Sequence, residues 1–370
     1  MQQQMFNPPC DVDSTCPRTI SYAITPCEGM HMAKFEHYVD NTHRLFRQIM
    51  DDSNRGRYDA ELWKYCKGYT ERKTIEKLVR FVDDMLRLAA LDVAGKTVLD
   101  AGCGFGRVAL VLAAMGAQKV YGIDITLRRL NTFQQIIQDL QLEQTLTAEY
   151  KSVDDTGYPD GFFDLVLSIE AVSHYNDIDA FFREAARVLK PGGVLLIADG
   201  NNGRNPRIAS FTKQVWNRFE NGPAGEVHGH TVTQSYREIR RNIIAEHFPT
   251  LSGEEMDELA RRTSYMDGEQ VIQAAQNYIA TRVLPDSLYD PNRCPVDPRT
   301  GAVIERLFDP FELARYLQQF GFRARAVAYL GGASGNPLLR AANSIFQALS
   351  SVTMRLAPSF RIVAVKETPR

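Results

Sequence analysis

The chain has 370 residues, of which 44% are hydrophobic and 24% are charged, and its formal net charge is -2. This length suits one large domain or two of ordinary size, and the composition is typical of a globular protein. Proteins that bind nucleic acid in general carry a basic excess, so the charge balance argues against that class.

Six cysteines are scattered along the chain, and three of them, Cys10, Cys16 and Cys27, are loosely grouped. Because no Cys-x-x-Cys pair occurs, reduced thiols are favoured over a zinc site there, and no metal is expected. The first thirty residues lack the apolar segment of a signal peptide, and no apolar run is long enough to cross a bilayer. These features predict a cytoplasmic protein.

Residues 1–74 are predicted to be an irregular lead-in followed by helices over the active site. The first thirty residues are rich in Pro, Gln, Ser and Cys, and helical periodicity then covers 35–50 and 70–91. The apolar residues of the second helix share one face: Ile75, Leu78, Val79, Val82, Met85 and Leu86.

Short apolar strands alternate with amphipathic helices from Lys96 onward. The predicted strands cover 96–100, 119–123, 149–153, 163–169 and 194–198, and the predicted helices cover 107–115, 127–140 and 178–189. Such alternation implies a parallel sheet with helices on both faces.

The alternation stops after the fifth strand. Residues 200–306 are polar and rich in helical patterns, without clear strands, and a helix at 311–320 and strands at 322–329 and 360–366 follow. We therefore expect a core made of 75–199 and 307–370, with 200–306 inserted as a helical cap beside the site.

A glycine-rich turn follows the first predicted strand, and its sequence pattern is Asp-x-Gly-x-Gly-x-Gly over residues 100–106. A turn without side chains lets a ligand lie on the backbone, and nucleotides bind at such strand-to-helix turns. Asp124 ends the second strand, 22 positions after Gly102, where an acid can accept hydrogen bonds from ribose hydroxyls. Oxidoreductases that use NAD carry a similar acid, but their glycine spacing is G-x-G-x-x-G.

Four motifs in chain order resemble those of the class I S-adenosylmethionine-dependent methyltransferases, in the small-molecule, type 11-like branch. They lie at 100–106, 122–124, 158–164 and 186–193. The resemblance implies a Rossmann-like α/β fold, a seven-stranded mixed sheet of order 3-2-1-4-5-7-6 with strand 7 antiparallel. It also implies S-adenosyl-L-methionine as the methyl donor and S-adenosyl-L-homocysteine as the product.

The same resemblance implies which residues bind the cofactor: Asp100, Gly102, Gly104, Phe105, Gly106, Asp124, Ile125, Asp154 and Ile169. Family members often carry an Asp against the adenine amino group at the position where this chain has Ser152. Either Asp154 takes that role after a small shift, or backbone groups contact adenine; we favour Asp154.

The loop after the fourth strand contains Glu170, His174 and Tyr175, and it faces the methyl end of the cofactor in this fold. It resembles the Glu-Ala-x-x-His stretch of sterol and tocopherol methyltransferases. His174 is a candidate general base, because histidine titrates near neutrality, or it only orients the loop. Glu170 either binds the acceptor or braces the loop, and Tyr175 is expected to line the acceptor pocket. The Pro-Pro-aromatic element of enzymes that methylate amino groups of nucleic acids does not occur here.

The leading hypothesis is an S-adenosylmethionine-dependent methyltransferase whose partner is a small hydrophobic acceptor, such as a lipid, an isoprenoid or another specialised metabolite, with no nucleic-acid partner. The alternative is a non-catalytic protein of the same fold that binds the cofactor or a partner protein. The sequence leaves open the acceptor, the methylated atom and the oligomeric state, a homodimer included.

Two further features have more than one interpretation. His228 and His230 form a His-x-His pair, but no third metal ligand is evident, so a flexible loop is favoured. Residues 336–359 carry an apolar stripe, which fits a helix packed on the sheet or a surface helix that touches a membrane or a lipophilic acceptor.

Overall fold

A seven-stranded mixed sheet is the central element of the computed structural model, which describes residues 26–330 and 337–368. The chain divides into two units, residues 1–37 and 38–370. Helix α1 covers Pro26–Ile49, and the described part of the first unit is its beginning, residues 26–37. The sheet and the other helices belong to the second unit.

The strands of the sheet are β1 (Thr97–Ala101), β2 (Lys119–Asp124), β3 (Leu146–Tyr150), β4 (Phe163–Ile169), β5 (Leu189–Asp199), β6 (Phe322–Tyr329) and β7 (Ser359–Lys366). Their spatial order is β3-β2-β1-β4-β5-β7-β6. Strands β1 to β5 are parallel, and β7 runs antiparallel to both of its neighbours. The predicted order, with an antiparallel strand 7, is confirmed.

The remaining helices are α2 (Ala60–Tyr65), α3 (Arg72–Leu88), α4 (Arg107–Ala114), α5 (Leu127–Asp139), α6 (Ile178–Val188), α7 (Pro206–Asn221), α8 (Tyr236–His247), α9 (Gly253–Arg262), α10 (Gly268–Thr281), α11 (Pro310–Tyr316), α12 (Pro337–Ala348) and α13 (Ser350–Thr353). Single 3-10 turns occur at Asp52–Asn54, Val172–His174 and Leu317–Phe320. The amphipathic face predicted for the second helix is buried in α3, except that Leu78 is only partly covered.

Two strands differ from their predicted positions by more than one residue. Strand β3 begins three residues earlier than expected, because Leu146 and Ala148 are the residues that face the core beside β2. Strand β5 begins at Leu189 rather than Val194, because Leu189 already pairs with β4 before the turn at Gly192. After this turn the pairing with β4 resumes at Val194 with a shifted register.

The insertion 200–306 contains α7 to α10 and a hairpin of two short strands, Gly225–Val227 and His230–Val232. The prediction that it lacks strands is wrong at this hairpin. His228 and Gly229 both have positive φ, 45° and 85°, which suits the tightest hairpin turns. Helices α8 to α10 enclose a small apolar cluster of their own, which includes Leu259 and Val271.

The connection between β6 and β7 contains helices α12 and α13, in the part of this connection that the structure describes. Both lie within 336–359, where the apolar stripe predicts a helix. Because β6 and β5 both run antiparallel to β7, the connection leaves and rejoins the sheet at the carboxyl edge of the parallel strands.

Candidate functional site

The glycine-rich turn lies between β1 and α4, at the carboxyl edge of the sheet. Gly102, Gly104 and Gly106 have φ of 80°, 54° and 74°, in the left-handed region that strains other residues. A methyl group on Gly106 would overlap the ring of Phe133, and one on Gly102 would lie 2.7 Å from the Cβ of Ala171. A methyl group on Gly104 would meet no atom within 4 Å. The turn is therefore packed on both sides and open at its middle glycine.

The carboxylate of Asp124 ties this turn to the end of β2. It accepts hydrogen bonds from the backbone amides of Gly104 and Thr126, at 2.8 and 2.7 Å. Charged acceptors of this kind form the stronger hydrogen bonds in proteins. The neighbouring Ile125 is 68% exposed, whereas the side chain of Phe105 is buried. A ligand at this turn would meet the Ile125 side chain but only the backbone of Phe105.

Two buried carboxylate oxygens near this edge lack hydrogen-bond partners among the described residues. One is Oδ2 of Asp100, directly before the turn, and the other is Oδ1 of Asp154. Burial and the nearby Asp124 raise the pKa of Asp100 to about 7, and burial raises the pKa of Asp154. Buried acceptors are nearly always satisfied, so these two oxygens fit a ligand that supplies donors.

Helix α2 lies beside the glycine-rich turn. Its residue Tyr65 stands against Phe105, with ring centroids 6.0 Å apart, and Glu61 accepts a hydrogen bond from Arg129 of α5 at 2.7 Å. Arg107, the first residue of α4, donates to the hydroxyl of Tyr69 at 2.8 Å. These contacts hold residues from the segment before α3 over the turn.

Glu170 lies where β4 ends, next to the end of β5. Its φ of 50° is unusual for a residue with a side chain, and strain of this kind often occurs at functional sites. Oε2 accepts a hydrogen bond from the amide of Gly200 at 3.1 Å. The side chain is accessible to solvent yet surrounded by protein, and this burial together with the nearby Asp199 raises the pKa of Glu170 to about 7.

The imidazole of His174 has a defined orientation and is about half exposed. Its Nδ1 lies 2.5 Å from the carbonyl oxygen of Ile304, and its Nε2 lies 3.8 Å from a carboxylate oxygen of Glu305. A carbonyl oxygen can only accept, so Nδ1 carries the proton in this contact. In the neutral ring, Nε2 is therefore the nitrogen that can accept a proton.

Tyr175, which is predicted to line the acceptor pocket, has its hydroxyl bonded inside the fold. Its hydroxyl donates to the carbonyl oxygen of Ala101 at 2.8 Å and lies 3.0 Å from the hydroxyl of Ser168. Burial strongly raises the pKa of this phenol. The side chain joins the ends of β1 and β4 beneath Gly102, which is the geometry of a positioning residue. Ile169, the last residue of β4, is partly buried beside it.

The end of the insertion, which no sequence motif marks, is hydrogen-bonded to the loop at 170–176. The amide of Arg306 donates to the carbonyl of Ser173 at 2.8 Å, and its guanidinium donates to the carbonyls of Tyr175 and Asn176. Glu305 faces His174, as described above. These pairs are separated by about 130 residues in the chain, and no local motif marks them.

His228 and His230 do not converge on a common point with other ligands. His228 shares a hydrogen bond of 2.9 Å with the side chain of Gln214 and stacks on the ring of Phe211. Within the described side chains, no group of three or more His, Cys, Asp or Glu residues is placed to hold a metal ion. The thiols of Cys10, Cys16 and Cys27 lie outside the described side chains.

Within residues 26–330 and 337–368, no helix combines the length and the apolar character that a transmembrane span requires.

Comparison with known protein families gives a match to the part of the chain that forms the glycine-rich turn and most of β1 to β5. Residues 99–197 match a family described as "Methyltransferase domain". The 2-methyl-6-phytyl-1,4-hydroquinone methyltransferase of Synechocystis is 39% identical over 193 residues, which cover 49% of this chain and 58% of the relative. The 27-O-demethylrifamycin SV methyltransferase of Amycolatopsis mediterranei is 32% identical over 152 residues, 38% of this chain and 56% of the relative. The chain thus spans a little over half the length of these curated relatives.

Among solved structures, an S-adenosylmethionine dependent methyltransferase from Mesorhizobium loti aligns with 76% of this chain and 95% of its own. Its identity is 17% and its TM-score is 0.40, so this likeness carries no argument about activity. The fold rests on the strand order observed here.

Proposed function

Residues 99–197 match a methyltransferase-domain family, and on that premise we propose that the chain is a class I S-adenosylmethionine-dependent methyltransferase that transfers a methyl group to a small hydrophobic acceptor. The observation that carries this proposal is the open glycine-rich turn, tied to Asp124 and flanked by two buried carboxylate oxygens without partners. This cradle fits a ligand that is rich in donors and lies against the backbone.

S-adenosylmethionine, when bound, supplies an electrophilic methyl group on a sulfonium. The residues that would hold it are the backbone of the turn at Gly104 and the carboxylates of Asp100, Asp124 and Asp154. Asp124 is already oriented by two backbone amides, so its remaining lone pairs have fixed directions. Such preorganisation reduces the entropy lost on binding.

The loop after β4 supplies the groups that act on the acceptor in this proposal. His174 presents Nε2 as an acceptor, because the Ile304 carbonyl holds the proton on Nδ1. Glu170 has a pKa of about 7 and is accessible to solvent, so it can exchange a proton near neutral pH. A base is needed only if the acceptor is a hydroxyl or an acidic carbon, and otherwise these groups orient the acceptor.

The insertion 200–306 acts in this proposal as the cap that shapes the acceptor site. Its last residues, Glu305 and Arg306, are bonded directly to the loop that carries His174. Helices α8 to α10 of the insertion pack around an apolar cluster of their own, which stabilises its shape. The names of the two relatives, one a 2-methyl-6-phytyl-1,4-hydroquinone methyltransferase and the other a 27-O-demethylrifamycin SV methyltransferase, support a small-molecule acceptor.

Two measurements test the proposal. Calorimetry with S-adenosylmethionine and S-adenosylhomocysteine should show binding to the purified protein, and its absence would refute the cofactor assignment. Transfer of a labelled methyl group into fractionated cell extract, followed by mass spectrometry, should yield a methylated small molecule. Cofactor binding without transfer into any fraction would instead favour the non-catalytic alternative.

A further inference from the structure

Helices α12 and α13 present a continuous apolar stripe to solvent. Its members recur at intervals of four and three residues along the segment 338–356. The members at 338, 342 and 345 share one face of α12, Val352 lies in α13, and Leu349 and Leu356 lie in the turns that follow the two helices. The exposed fractions of its large side chains are 79% for Leu338, 62% for Ile345, 53% for Leu349, 71% for Val352 and 71% for Leu356. Ala342 completes the stripe.

The opposite face of the same segment is firmly packed. Met354 and Ala357 are fully buried, and their carbonyl oxygens accept hydrogen bonds of 2.8 and 2.9 Å from the side chain of Asn202. The hydroxyl of Ser350 accepts a hydrogen bond of 2.9 Å from the amide of Ala328 in β6. The segment is therefore anchored to the sheet with its apolar stripe outward, and the stripe is not a displaced part of the core.

Exposed apolar side chains that stand singly are ordinary, whereas a contiguous patch marks an interaction surface. Within 338–358 the charged residues are Arg340 and Arg355, both exposed, and the sequence contains no Asp or Glu there. Arg355, next to Leu356, lies at the edge of the stripe, whereas Arg340 lies near the carboxylate of Asp84 in α3. An apolar face with exposed positive charge and no acidic residue beside it is typical of a helix that lies in the interface of an anionic membrane.

A second copy of the chain is the competing occupant of this face. A two-fold dimer would place the same patch on both sides of the interface. It would bring the two copies of Arg355 together without a carboxylate from either segment. Charge complementarity thus favours an anionic lipid surface over self-association.

We infer that the segment 338–356, the apolar stripe, docks this protein on an anionic membrane surface as a peripheral contact. The connection that contains it leaves and rejoins the sheet at the carboxyl edge, the edge that carries the glycine-rich turn and Glu170. Docking there would bring an apolar compound dissolved in the bilayer close to the proposed acceptor site. The docking itself does not depend on the proposed methyl transfer.

Co-sedimentation with lipid vesicles tests the inference. The wild-type protein should bind vesicles made of equal parts phosphatidylglycerol and phosphatidylcholine, and it should bind pure phosphatidylcholine more weakly. A triple variant, Ile345→Ser, Val352→Ser and Leu356→Ser, should lower the partition coefficient on the anionic vesicles by at least about tenfold, because it removes most of the apolar area of the stripe.

The matched control is Val283→Ser with Leu288→Ser, since these side chains are 69% and 48% exposed in the insertion. The control should bind vesicles as the wild type does. Thermal unfolding and calorimetry with S-adenosylhomocysteine should give the same values for the triple variant and the wild type, which separates this inference from the proposed function. Equal vesicle binding by the triple variant, or no binding by the wild type, would overturn it. A wild-type dimer that the triple variant converts to monomers would show that the stripe is a subunit interface instead.

Discussion

The three glycines of the turn should respond differently to the addition of one methyl group, because the space around them differs. In Gly104→Ala the new Cβ meets no atom within 4 Å, so the cost in stability is the left-handed backbone alone, about 1–2 kcal/mol. In Gly106→Ala the methyl also overlaps the ring of Phe133. Overpacking adds about 1–3 kcal/mol, so this variant should lose about 2–5 kcal/mol in total.

Cofactor affinity should fall more in Gly104→Ala than in Gly106→Ala, although Gly104→Ala loses less stability. The methyl group of Gly104→Ala fills the open side of the turn, where the proposed ligand approaches the backbone. We expect the dissociation constant for S-adenosylhomocysteine to rise at least about tenfold, equivalent to about 1.4 kcal/mol. Gly106→Ala should be less stable than Gly104→Ala. Its folded fraction should bind S-adenosylhomocysteine with an affinity closer to that of the wild type than Gly104→Ala does.

Gly192→Ala is the matched control. Gly192 also has a left-handed φ, 77°, and its added methyl also meets nothing within 4 Å, but it lies in the turn between the first residues of β5, away from the carboxyl edge. Urea unfolding should show the same small loss for Gly192→Ala and Gly104→Ala, and calorimetry should show weakened binding in Gly104→Ala alone. Normal binding by Gly104→Ala would refute the claim that the ligand lies on this turn.

The remaining predictions concern the loop after β4. Tyr175→Phe leaves the buried carbonyl of Ala101 without its donor, so the free energy of unfolding should fall by about 1–3 kcal/mol, as measured by urea unfolding, while the apparent pKa of the rate stays unchanged. If Glu170 takes the proton from the acceptor, the rate should rise with pH through about 7, because only the deprotonated carboxylate can accept a proton. In Glu170→Gln this rise in the rate should disappear. A rise that persists in the variant would exclude Glu170 as the base. Arg306→Ala removes two donors from the loop carbonyls, so kcat should fall while the dissociation constant of the cofactor stays the same; an unchanged kcat would mean that the end of the insertion does not position His174.

Local pattern was sufficient for most of the sheet. The bounds of β4 and β6 match their predicted ranges, because β4 is a short run of mostly apolar residues and β6 alternates apolar and basic residues over its first half. The strand order followed from the four motifs rather than from the strands themselves. The glycine-rich turn and Asp124 were visible because a left-handed turn requires glycine at fixed spacing.

The sequence was less informative wherever a residue's partner is distant in the chain. The hydroxyl of Tyr175 reaches Ala101, and the guanidinium of Arg306 reaches the loop after β4 across about 130 residues, so no local window contains these pairs. The position of β3 was likewise decided by its pairing with β2, since Leu146 lies opposite Val120.

The apolar stripe shows the same division of information. Its spacing in the sequence predicts an amphipathic helix, but the same spacing fits a helix packed against the sheet and one turned toward solvent. Only the anchoring of Ser350, Met354 and Ala357 on the other face decided that the stripe points outward. Periodicity defines which residues share a face of a helix, whereas the direction of that face depends on contacts that only the tertiary fold brings together.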